Sequence, residues 1–125
     1  MTYPKIILEG EPLSTSHIYK YHCRSGFPSG YMSNEGRELK MDYQKQLIQQ
    51  WKTKAIKEEV DLNVKLFFKT KRKRDIDNFS KILFDAMSGI VFDDDNQIKK
   101  LTIEMFYRKD FGGAEITINK YEKHT

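Results

Sequence analysis

The stretch Val60–Gly89, VDLNVKLFFKTKRKRDIDNFSKILFDAMSG, decides the fold because its hydrophobic period changes partway through. Val60, Leu62, Val64, Leu66 and Phe68 alternate with Asp61, Asn63, Lys65 and Phe67, the period-two pattern of a strand. Further on, Phe79, Ile82, Leu83, Ala86 and Met87 fall at helical spacing. They predict a helix over about Asp77–Ser88 that stops at Gly89. Between strand and helix stand four consecutive cations, Lys71, Arg72, Lys73 and Arg74, then two carboxylates one residue apart, Asp75 and Asp77. On the helix Asp77, Lys81 and Asp85 lie four apart and share a face.

On the N-terminal side, TYPKIILEG (residues 2–10) reads as a first strand, closed by Gly10 and Pro12. Residues 13–33, with Gly26, Pro28 and Gly30, read as a long loop or a flexible hairpin, and a loop of that length is usually functional or mobile. Within it, His17 and His22 with Tyr19 and Tyr21 either face solvent or touch a ligand. A helix is expected to start at Ser33 or Asn34. Leu39, Tyr43, Leu47, Trp51 and Ala55 form its apolar stripe, with Ile48 and Ile56 beside them. On the C-terminal side, IVFDDDNQ (90–97) leads into a third strand whose Leu101, Ile103, Met105 and Tyr107 alternate with Thr102, Glu104 and Phe106. RKDFGG (108–113) reads as a turn to a partner strand, AEITINKY (114–121), making a terminal hairpin. The order β-α-β-α-β-β predicts an α+β fold: a single domain over 1–125 with a small mixed sheet packed against two helices.

At 125 residues with eight Phe, seven Tyr and one Trp, the chain can build one modest core, which argues against wholesale disorder. The formal charge of +4 permits a polyanionic partner. A single cysteine, Cys23, excludes an internal disulfide and a cysteine-based zinc cluster. No apolar run reaches the ~20 residues of a membrane helix, and the start lacks signal-peptide organisation, so a cytoplasmic protein is expected.

The chemistry concentrates in residues 69–97. Two carboxylates as close as Asp75 and Asp77 repel unless something positive lies between them. Hard oxygen donors of this kind suit Mg²⁺ or Mn²⁺. Asp93, Asp94 and Asp95 leave the far end of the same helix and can return a carboxylate towards the first pair. Converging carboxylates with few histidines suit phosphoryl-transfer metal sites. Lys69, Lys71, Arg72, Lys73 and Arg74 are placed to neutralise DNA phosphates without reading sequence. Lys81 either steadies a carboxylate or contacts the scissile phosphate. Each piece alone has a plainer reading: helix cap for Asp75 and Asp77, solvated edge for the basic run, turn for the aspartate triplet, ion-pair partner of Lys81 for Asp85.

Taken together, KRKRDIDNFSKILFDAMSGIVFDDDNQIKKL (residues 71–101) resembles the RusA family of Holliday-junction resolvases, small endodeoxyribonucleases of bacteria and their prophages. The residues carrying the likeness are Arg74, Asp75, Asp77, Asn78, Lys81, Asp85, Ala86, Gly89, Asp94, Asp95 and Gln97. The resemblance implies Asp75, Asp77 and Asp95 as catalytic metal ligands, with Asp94 and Asp85 as further candidates, and Lys81 as the active-site lysine. It also implies dependence on Mg²⁺ or Mn²⁺ and a homodimer that makes paired nicks in a four-way junction, in recombination and repair. Two other readings stand beside it: a non-catalytic module that binds branched DNA, and a divalent-cation nuclease for flaps or single strands. The segment after the first strand departs from the family, keeping Pro12 and Ser14 but lacking the family's Asn and running longer.

Overall fold

The computed structural model describes residues 3–24 and 27–123, with side chains for all of these except 21–24 and 27–29. His124 lies outside the described residues, as do the side chains of Tyr21, His22 and Cys23. The elements in order are β1 (Ile6–Glu9), α1 (Thr15–Ile18), β2 (Tyr19–Arg24), β3 (Phe27–Met32), α2 (Asn34–Gln50), β4 (Val60–Phe68), α3 (Ser80–Met87), β5 (Ile98–Tyr107) and β6 (Gly113–Lys120). Short 3-10 turns at Ile76–Asn78 and Asp95–Gln97 flank α3. The α+β class holds: a small mixed sheet in the order β1-β6-β4-β5, and a separate β2-β3 pair. No helix among the described residues is long and apolar enough to cross a membrane.

β4 is the central strand, as its alternation requires. Val60, Leu62, Val64, Leu66 and Phe68 are all buried. They pack with Tyr43 and Leu47 of α2, Ile82, Leu83, Ala86 and Met87 of α3, and Ala114, Ile116 and Ile118 of β6 in one core. Each buried Val, Leu, Ile, Phe or Met among them contributes about 1.5–3 kcal/mol. β5 lies parallel to β4, and α3 with its flanking turns makes the crossover that parallel strands need.

The terminal hairpin does not form. β6 pairs with β4 and β1, antiparallel to both, and β5 sits on the opposite side of β4. The connection Arg108–Gly112 instead wraps the end of β4, where Arg108 N–H donates to the Phe68 carbonyl at 2.9 Å. This route puts all three apolar residues of β6 in the core, whereas edge strand β5 leaves Leu101, Phe106 and Tyr107 exposed. Gly113 permits it, because a Cβ there would lie 2.0 Å from the Leu8 carbonyl oxygen.

Of the two readings of the 13–33 segment the hairpin holds, preceded by a short helix. Ser14 caps α1 by accepting from His17 N–H at 3.2 Å, and β2 and β3 pair from Tyr19↔Met32 to Arg24↔Phe27. Pro28 and Gly30, read as breaks, sit inside β3. A two-stranded ribbon tolerates them because each strand has a free edge. Gly36 of α2 receives Ile18, with no room for a Cβ, which would come within 2.8 Å of the Ile18 Cβ.

α2 begins as expected, with Ser33 accepting from Gly36 N–H at 3.1 Å. It ends at Gln50, earlier than the stripe to Ala55 implied, and Ile48 points outward at 59 % exposure. Trp51 and Ile56 stay buried past the helix end, so the apolar spacing outlasts the helical backbone. Gln46 and Gln50 each present an amide to the outer edge of β1. Their Oε1 atoms accept from Glu9 and Ile7 N–H at 2.7 and 2.8 Å, and their Nε2 atoms donate to the same residues' carbonyls at 2.8 and 2.7 Å. The two amides thus imitate a neighbouring strand and block the edge.

Candidate functional site

Asp75 does not sit at the end of β4. Residues 69–74 intervene, and Asp77 lies within a 3-10 turn. The intervening segment is organised by Arg74, which is only 13 % exposed along its side chain. Its guanidinium lies 4.1 Å from the Phe68 ring. It donates to the Thr70 carbonyl (3.0 Å), the Thr70 hydroxyl (2.9 Å), the Arg72 carbonyl (3.3 Å) and Glu11 (3.3 Å). Arg74 is therefore turned inward, as the hub of the basic run. Lys69, Lys71, Arg72 and Lys73 are exposed, and among the described residues no acid pairs with their side chains.

Asp75, Asp77, Asp94 and Asp95 are all exposed. Asp94 caps the second 3-10 turn, accepting from Asn96 N–H at 3.2 Å, while Gln97 Oε1 accepts from Asp94 N–H at 2.9 Å. Gln97 Nε2 also donates to the Ile56 and Glu58 carbonyls, both at 2.8 Å, tying this turn to the chain before β4. Asp93 is paired with Lys57 at 2.8 Å. Among the described residues no cation pairs with Asp75, Asp77 or Asp95.

Asp85 is committed elsewhere. It accepts a hydrogen bond from the Tyr19 hydroxyl and lies 3.9 Å from Lys81 Nζ, which in turn stands 5.1 Å from the Tyr19 ring. Sequence reasoning joined Asp85 to Lys81 but missed Tyr19, because the contact spans two elements 66 residues apart. It also missed Glu11, and named His17 only as a loop residue that either faces solvent or touches a ligand. Both line an open cavity of about 410 Å³ together with Ser14, Asp75 and the cations Arg72 and Lys73. His17 is held by Glu35 at 2.8 Å.

The expected gathering of Asp75, Asp77 and Asp95 into one shell is not present: among the described residues no group of three or more His, Cys, Asp or Glu side chains lies close enough to hold a metal ion. The acids stand on two turns at opposite ends of α3, and like charges keep apart without a counterion. In donor chemistry, exposed unpaired carboxylates still suit a hard cation that takes one or two carboxylates and keeps its waters.

No match to the chain was found among curated proteins. The family model described as Endodeoxyribonuclease RusA matches residues 9–119, from the last residue of β1 through the α1–β3 segment, the basic run and both acidic turns to nearly all of β6. With so much of its length matched, the chain belongs to the RusA endodeoxyribonuclease family.

Proposed function

We propose that this protein is a divalent-cation-dependent endonuclease that resolves four-way (Holliday) DNA junctions by paired nicks, in recombination and repair. Family membership supports the endonuclease class. The observation that carries the reading further is the juxtaposition in residues 71–77: the exposed, unpaired cations Lys71, Arg72 and Lys73 stand, with only the inward-turned Arg74 between, beside the exposed, unpaired carboxylates Asp75 and Asp77. Cations alone suffice to bind DNA. Carboxylates beside them repel phosphate and weaken a pure binder, so they have a use only where a cation stands between acid and phosphate.

Arg72 and Lys73 receive the phosphates along the cavity lined by Asp75, with Lys71 exposed next to them in the chain. Asp75, Asp77 and Asp95 are the carboxylates that would hold the ion. Mg²⁺, or Mn²⁺ in its place, would supply Lewis acidity at the scissile phosphate. Lys81 offers positive charge to that phosphate, its ammonium held by Asp85 and the Tyr19 ring. A junction has two equivalent scissile strands, which a two-fold homodimer matches with two equivalent sites.

The test is cleavage of labelled four-way junction, flap, duplex and single strand, with and without Mg²⁺ or Mn²⁺. The reading expects symmetric nicks in the junction that require the ion. Binding without cutting under every condition would establish a non-catalytic module. Preferential cutting of flaps or single strands would establish a different nuclease.

A further inference from the structure

Cover over the sheet runs out at the end of β5. Phe68 of β4 is buried, with Phe79 edge-on at 5.1 Å and the Arg74 guanidinium over its ring. Its cross-strand partner Tyr107 has no such roof and is 46 % exposed, with Phe106 beside it at 37 %. Met105, Phe106, Tyr107 and Phe68 line an open groove of about 310 Å³ together with the 70–74 segment. Lys71 Nζ stands 5.0 Å from the Tyr107 ring. Lys71, Arg72 and Lys73 have no acidic partner among the described residues, since Glu11, which also hydrogen-bonds this segment, is paired with Arg74.

A half-exposed aromatic face rimmed by unneutralised cations combines two chemistries. The ring takes another flat π system, and the rim takes anions. One DNA nucleotide offers both, provided its base is out of the helical stack; inside a duplex the base faces are covered and only edges are presented. A base can displace the Lys71 ammonium from the ring, because a cation–π contact at an exposed site is weaker than a base–aromatic stack. The released ammonium then turns to phosphate.

We propose that this groove is a nucleotide subsite in which one unpaired DNA base stacks on Tyr107 while Lys71, Arg72 and Lys73 hold its phosphates. It rests on the reading of the protein as a binder of branched DNA, and it supplies that reading with a preference for sites where stacking is interrupted.

The test uses the full chain in EDTA, so that binding is read apart from cutting. The probes are 2-aminopurine DNAs: a single strand, a four-way junction with the fluorophore at the branch point, and a fully paired duplex. Tyr107→Ala is expected to weaken single-strand and junction binding by about 5- to 100-fold and to abolish the fluorescence change, leaving duplex affinity unaltered. Tyr107→Phe should behave as wild type. Tyr107→Leu keeps an apolar side chain in the groove but no π face, and should fail as Tyr107→Ala does while melting at the wild-type temperature. Unchanged single-strand and junction binding in Tyr107→Ala would overturn the proposal. So would an equal loss on duplex, or wild-type single-strand and junction binding by Tyr107→Leu. A failure of the nuclease reading looks different: wild type would show the stacking signal yet cut nothing when Mg²⁺ is restored.

Discussion

Arg74 and Lys73 are neighbours of equal charge, yet the structure gives them opposite roles, and replacing each by Met separates those roles. Arg74→Met keeps a stem against Phe68 but removes four donated hydrogen bonds and leaves Glu11 without its cation. Hydrogen bonds from charged donors contribute about 1.5–3 kcal/mol each, but Thr70 and Arg72 are exposed and water replaces much of what is lost. A net cost of about 2 kcal/mol is expected, a fall in Tm of roughly 8 °C for a chain of this size. Lys73 has no partner to lose, so Lys73→Met should melt within about 2 °C of wild type. The DNA response reverses the order. Lys73→Met should lower the slope of log K against log salt by about 0.9 on duplex DNA, and Arg74→Met should leave it nearly unchanged. Both variants lose one formal charge, so net charge cannot produce the difference. Thermal melts and anisotropy titrations at several salt concentrations without divalent ions are the assays. An Arg74→Met protein that keeps its Tm and loses about one charge from the slope would refute the inward placement of Arg74.

Other expectations follow from single contacts. Tyr43 donates to the Gly10 carbonyl at 2.6 Å, and burial, with Asp42 and Glu11 nearby, pushes its phenol above its ordinary value. The unfolded chain releases this proton first as pH rises past about 10, so stability is lost there. The gap between wild type and Tyr43→Phe should be about 1 kcal/mol at neutral pH and should shrink above pH ~10; a constant gap in denaturant melts would contradict it. Gln46→Ala with Gln50→Ala should cost about 1–2 kcal/mol and expose the β1 edge, giving concentration-dependent association by light scattering; a stable monomeric double variant would show the amides to be passive. Leu47→Ala should cost about 2–5 kcal/mol and Ile48→Ala under about 0.5, and equal costs would contradict the orientation of α2. Tyr19→Phe should reduce the rate of junction cutting with little change in junction affinity, because the hydroxyl donates to Asp85, which stands against Lys81; an unchanged rate would remove Tyr19 from the site.

Legibility in the sequence followed locality. β4, α3 and the start of α2 were readable because period and caps are properties of neighbouring residues. The β5–β6 pairing was misread because adjacency favours a hairpin, whereas the fold is decided by whether Ala114, Ile116 and Ile118 are covered on both sides. α1 was hidden, and the β2–β3 pair stood only as one of two readings, because Pro28 and Gly30 are breakers in a helix or a central strand but not in a free ribbon. In the site, the acids and cations were identifiable as residues. That Arg74 faces inward, that Asp94 is a cap, and that Tyr19 reaches Asp85 depend on segments far apart in the chain and carry no local signal.

The account turns on whether the exposed acids serve cutting rather than folding or binding. The most direct measurement compares wild type with Asp75→Asn, Asp77→Asn and Asp95→Asn on one labelled four-way junction, scoring binding in EDTA and cleavage in Mg²⁺. The account predicts wild-type melting, junction binding that is equal or tighter because a repulsive charge is gone, and no detectable nicks from any of the three. Wild-type cleavage by Asp75→Asn or Asp77→Asn would contradict it.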